Sequence, residues 1–128
     1  MNIATDIVNK VTGLLVLATA AKPVYKHEKP SGVNASNFTV VNCLPVIQDH
    51  FDQAFCNVNV HVKDMDLTKL IPDDVTLKTR SEAVITALNN FSDDAYDISL
   101  QQSSLFPDPE TQTHYINLRF IITILTQN

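Results

Sequence analysis

The sequence predicts an α+β domain: one antiparallel β-sheet with two amphipathic helices packed on one of its faces. Three observations carry this. Residues 115–125 alternate between two faces at a period of two, and residues 56–63 do the same. Two stretches, about 3–20 and about 74–90, instead carry apolar residues at helical spacing. A chain of 128 residues has room for a single core, so 1–128 is read as one domain.

The last strand is the longest and organises the rest. Ile116, Leu118, Phe120, Ile122 and Ile124 fall on one face, and Tyr115, Asn117, Arg119, Ile121, Thr123 and Leu125 on the other. Alternation of β-branched and aromatic residues marks a half-buried strand. Its second face turns apolar at Ile121 and Leu125, which predicts cover on both sides at that end.

The N-terminal segment admits two readings. Val11 to Ala21 is a short apolar run ending in Ala18-Thr19-Ala20, which has the form of a signal-peptidase site. Against a secretory signal, the preceding residues carry Asp6 with only Lys10 as a basic side chain. Ile3, Ile7, Val11, Leu14, Leu15 and Ala18 also recur at three- and four-residue spacing, as one face of a packed helix. The run is too short to span a bilayer, which takes about 20 apolar residues.

Pro23 closes that helix, and Val24 to Lys29 suits an outer strand. Pro30-Ser31-Gly32 and the polar residues to Asn37 read as a loop or hairpin tip. Phe38 to Leu44 is a strand stopped by Pro45, with a short polar connection around Gln48 to Gln53. In the next strand Cys56, Val58, Val60 and Val62 face the core, while Asn57, Asn59, His61 and Lys63 face away. A loop of about ten residues leads to Asp73 or Asp74, either of which caps the second helix. Its buried stripe is Leu77, Val84, Ile85 and Leu88; Lys78, Arg80 and Glu82 lie on or toward the wet side, and Asn89-Asn90 ends it. Ala95 to Leu105 is then a strand with Tyr96, Ile98 and Leu100 inward. Phe106-Pro107-Asp108-Pro109-Glu110 reads as the turn after it, because prolines are poor inside a sheet.

Composition excludes several functions. The net charge is -5 with a pI near 5.1, and Lys22, Lys26 and Lys29 are the closest basic grouping, so no nucleic-acid footprint is present. Only two glycines occur, which removes P-loop and dinucleotide cradles. Cys43 and Cys56 fit neither a CxxC nor a zinc-knuckle pattern. They read as small buried apolar groups in a reducing compartment, with a disulfide between neighbouring strands as the alternative. No pair among His27, His50, His61 and His114 has metal-ligand spacing. If their strands paired, His61 and His114 could approach each other beside an Asp, as a zinc or acid–base site. No nucleophile elbow is present, and the Asp pairs read as caps and loops. No catalytic residue, metal or cofactor is expected.

The order of elements, the VNVHVKD stretch (57–64), the HYINLRF stretch (114–120) and the Phe38 to Pro45 strand resemble the small tail terminator, or tail completion, proteins of long-tailed bacteriophages. The resemblance runs nearly end to end. It implies a non-enzymatic structural protein of the virion, assembled in the host cytoplasm and placed at the tail–neck junction. Such a protein works as a homo-oligomeric ring, commonly a hexamer, that caps the tail tube and meets the head–tail connector. DNA only passes through the lumen, which suits an acidic chain, and no membrane is involved. Carried over, Asn57, Asn59, His61 and Lys63 become candidate subunit or tail-tube contacts. Another head-completion or connector protein is the nearest alternative. A secreted binding domain or a small metal-dependent enzyme using His61 and His114 stands as a different class.

Overall fold

The computed structural model describes residues 3–30, 36–44, 53–65 and 71–125, with side chains from Thr5 onward. Its elements are α1 (Ile3–Val16), a 3-10 turn (Thr19–Ala21), β1 (Val24–Lys26), β2 (Phe38–Cys43), β3 (Gln53–Lys63), α2 (Asp74–Leu88), β4 (Phe91–Ser92), β5 (Tyr96–Asp108) and β6 (Thr113–Ile124). The strands form one curled sheet in the order β1-β2-β3-β6-β5-β4, and both helices pack on the same face of it. The fold class is α+β. Ser31 to Ala35, including the Ser-Gly of the Pro-Ser-Gly tip, Pro45 and the connection to Asp52, and residues 66–70 of the long loop lie outside the described residues.

The long strands are the centre of the sheet. β3 and β6 pair antiparallel over eleven positions, from Gln53 opposite Thr123 to Lys63 opposite Thr113. Their shared inner face carries Cys56, Val58, Val60, Leu118, Phe120 and Ile122, all at most 1% exposed. α1 lays Ile7, Val8, Val11 and Leu15 on this face, each at most 2% exposed. α2 adds Val84 and Leu88 to the same core, and its Leu77 is buried as well. Burying one such side chain stabilises by about 1.5–3 kcal/mol.

α2 starts where its cap predicts. The Asp73 carboxylate accepts from the Thr76 backbone N–H at 3.1 Å and from the Thr76 hydroxyl at 2.7 Å. Asn89 caps its end, and Asn90 takes a left-handed backbone, φ 63°, that turns the chain into β4.

Three expectations are corrected. The sheet is mixed, because β1 runs parallel to β2, with Val24 opposite Thr39 and Lys26 opposite Val41. Strands of a hairpin run antiparallel, so β1 and β2 do not form one. Pro107 lies inside β5, opposite His114, and not in a turn. β4 pairs only with Asp97 and Ile98, so β5 is an edge strand at Pro107, where a missing N–H costs little. Finally, Leu125 is 45% exposed and Ile121 half-buried, so the apolar end of β6 is not covered on its second side by the described residues. Among the described residues, no helix is long and apolar enough to cross a membrane.

Candidate functional site

The face of the sheet without helices carries the candidate contact residues. Cross-strand register sets their neighbours. His61 lies opposite Phe38 on β2 and Tyr115 on β6, and Tyr115 lies opposite Phe106 on β5. These pairings build a row of rings across five strands. Tyr25 to Phe38 is 6.4 Å between centroids, Phe38 to His61 4.4 Å, His61 to Tyr115 4.6 Å, and Tyr115 to Phe106 5.5 Å. Such contacts contribute about 0.5–1.5 kcal/mol each beyond area burial.

His61 is the centre of the row and is only 8% exposed. Its Nδ1 is 3.1 Å from the Thr113 hydroxyl, which is 2.7 Å from the Thr111 hydroxyl. Burial pushes its pKa down to about 4; Asp108, 3.9 Å away, pulls upward, and Lys29 pushes further down. Burial dominates because the ring is sandwiched between Phe38 and Tyr115, with little of it left exposed. The imidazole is therefore neutral at pH 7. A cleft of about 430 Å³ opens above the row, floored by Phe38, His61 and Tyr115 and rimmed by Glu28, Asp108 and Glu110.

Beside the rings lies a patch of amides. Asn117 Nδ2 donates to Asn59 Oδ1 at 2.6 Å and sits 3.3 Å from Asn57 Oδ1. Beyond it the Arg119 guanidinium lies 4.8 Å over the Phe55 ring. Lys63 stands at the other end, its backbone N–H donating to Asn37 Oδ1 at 2.9 Å and its Nζ 3.5 Å from Gln112 Oε1. Asn57, Asn59 and Lys63 are half-buried and reachable, whereas His61 supports the surface from beneath.

His61 and His114 do not form a site. Val62, not His61, is opposite His114, so the two rings project from opposite faces of the sheet. His114 Nδ1 instead meets Asp64 Oδ1 at 2.6 Å, and that carboxylate side chain is 1% exposed. The paired strands that could have joined the histidines separate them by register. Among the described residues, no group of three or more His, Cys, Asp or Glu is placed to hold a metal ion. The face offers aromatic and amide surface around the cleft, which suits recognition of another protein.

Sequence reasoning placed Tyr115, Asn117 and Arg119 on this face but missed the ring row, because cross-strand partners need the register. It missed Phe106 because the two prolines assigned that residue to a turn, and because of a local irregularity in β5. A bulge between Leu100 and Gln102 shifts the parity of β5, which brings Gln102, Ser104, Phe106 and Asp108 to the helix-free face. No signal in the sequence marks that bulge.

No protein-family model matches the chain, and no curated protein matches it either. Among solved structures, the fold is similar to a chain from the virion of a native gene transfer agent (GTA) particle, with a TM-score of 0.62 and 16% identity. That likeness covers 89% of this chain and 90% of the other, so the two share a fold from end to end.

Proposed function

We propose that this protein is a non-enzymatic structural protein of a phage or phage-like virion, working as a homo-oligomeric ring that caps the tail tube and joins it to the neck. The end-to-end fold likeness to a chain of a virion, at a TM-score of 0.62, carries the reading. Two features of the surface support the ring. The helix-free face presents Asn57, Asn59 and Lys63 around the ring row as polar groups able to meet a neighbour. The outer edge of β5 is the other. The Leu100 N–H is taken by Asn89 Oδ1 at 2.9 Å, but from Gln101 to Asp108 no described strand pairs with that edge.

Residues 98–106 carry no charge, and Leu105 and Phe106 are 50% and 43% exposed. Monomers normally guard such an edge with Lys, Pro or a covering loop; here Pro107 guards one end, and no described strand covers residues 101–106. Closed assembly of identical copies uses it instead. In this reading the ring partner is a second copy docked along β5, and the helix-free face meets the tail tube or the adjoining subunit. Assembly takes place in the host cytoplasm, and the ring resides at the tail–neck junction.

Light scattering on the full-length protein, alone and mixed with the tail tube protein, tests this. A defined oligomer, six copies in the tail-terminator form, is the expected result. The paired change Ser103→Lys and Leu105→Glu should convert it to a folded monomer. A protein that stays monomeric in both conditions overturns the ring, and an oligomer unaffected by the paired change removes β5 as its contact.

A further inference from the structure

β2 and β3 place Cys43 and Cys56 directly opposite each other. Residues opposite on adjacent strands share a face, and here it is the helix-covered one that carries Val58 and Val60. The hydrogen bonding identifies the kind of pair. The Leu44 N–H donates to the Phe55 carbonyl at 2.9 Å, which joins the residue after Cys43 to the residue before Cys56. That pattern flanks a non-hydrogen-bonded pair, whose Cα atoms approach to about 4.5 Å. Disulfides span roughly 4.4–6.8 Å between Cα atoms, so these two residues stand within bonding reach with no movement of the strands. Both are free thiols in the structure.

We propose that Cys43 and Cys56 form a reversible cross-strand disulfide when the folded protein meets a disulfide oxidant such as oxidised glutathione. The two cysteines differ in access, which sets the order of events. Cys43 is half-buried at the end of β2, and its thiol makes only a weak 3.4 Å contact to the Leu44 carbonyl. Cys56 is 0% exposed. The Cys43 thiolate therefore attacks the oxidant, forming a mixed disulfide and releasing one glutathione thiolate. The Cys56 sulfur then attacks the Cys43 sulfur, the protein disulfide forms and the second glutathione leaves. Two protein thiols are oxidised, one glutathione disulfide is reduced to two thiols, and the two protons lost by the protein end on the released glutathione. Burial raises both thiols above their ordinary pKa, which makes the exchange slow, and the glutathione poise of a reducing cytosol keeps the pair reduced.

The bond has a place in the fold. β1 reaches the sheet only through β2, so a link from β2 to the central β3 also secures the outer β1 edge. The cysteines thus form a modification site that is reduced during synthesis and oxidised after release to an oxidising medium.

Treatment of the native protein with glutathione disulfide, followed by intact mass and non-reducing peptide mapping, is the test. The expected product has lost two hydrogens, carries no adduct, joins the Cys43 and Cys56 peptides and reverts with dithiothreitol. The Cys56→Ser variant, and Cys56→Ala should serine disturb the core, should stop at a glutathione adduct on Cys43. The Cys43→Ser variant should take up no adduct, with circular dichroism verifying each fold. A wild-type protein that stops at the Cys43 adduct, or keeps two free thiols while its urea-unfolded form oxidises, overturns the proposal.

Discussion

Acidification should destabilise this protein through one ring, His61. In the folded state that imidazole titrates near 4, against 6.5 for an ordinary histidine. The unfolded chain therefore takes up the proton first. Stability from keeping His61 neutral is complete above about pH 6.5 and is lost progressively as pH falls toward 4. Each pKa unit corresponds to about 1.4 kcal/mol, so the loss on reaching pH 4 is about 3 kcal/mol. A marginally stable domain has about 5–15 kcal/mol in total, which makes this a large share. Urea unfolding followed by far-ultraviolet circular dichroism at several pH values reads it, with a midpoint shift of roughly 1–3 M. Carboxylates titrate over the same range, so the decisive comparison is with His61→Phe. Phenylalanine keeps a planar ring between Phe38 and Tyr115 but cannot ionise. The variant should lose about 3 kcal/mol less than wild type between pH 7 and pH 4. Equal losses in the two proteins would refute the burial argument and mean that water reaches the ring.

Further expectations follow from individual contacts. Phe120→Ala, at a core position 0% exposed, should cost about 3–5 kcal/mol in chemical denaturation. Asp73→Ala removes both bonds to Thr76 and should lower stability by about 1 kcal/mol, read as a fall in the thermal midpoint. His114→Ala leaves the buried Asp64 carboxylate without its 2.6 Å partner and should cost about 3–5 kcal/mol at pH 7, with Asp64→Asn in the same background recovering part of it. Asn117→Leu deletes the donor shared by Asn57 and Asn59; it should leave the fold intact by circular dichroism and weaken self-association or tube binding in the light-scattering assay.

Periodicity made much of the fold legible. The alternation in 56–63 and 116–124 identified the inner face residue by residue, and Val58, Val60, Leu118 and Phe120 are fully buried. The helical stripe Ile7, Val11 and Leu15 marked a core-facing helix, and Asp73 marked the start of α2 through its cap chemistry. These signals are local. A strand's period or a cap's hydrogen bond is written within a few residues, so composition and spacing suffice to read it.

Relations between distant segments were decided elsewhere. Whether His61 meets His114 depends on a one-residue difference in register, and that difference sent the rings to opposite faces. The parallel pairing of β1, the bulge that brings Phe106 into the ring row, and the exposure of β5 beyond β4 depend likewise on which strands lie side by side. The same holds for the two cysteines, thirteen positions apart in sequence and opposite one another in the sheet. The sequence by itself determined the α+β class, the core faces and the absence of known catalytic motifs. Only the tertiary structure decided the surface, because a sheet face is assembled from residues that no local pattern connects.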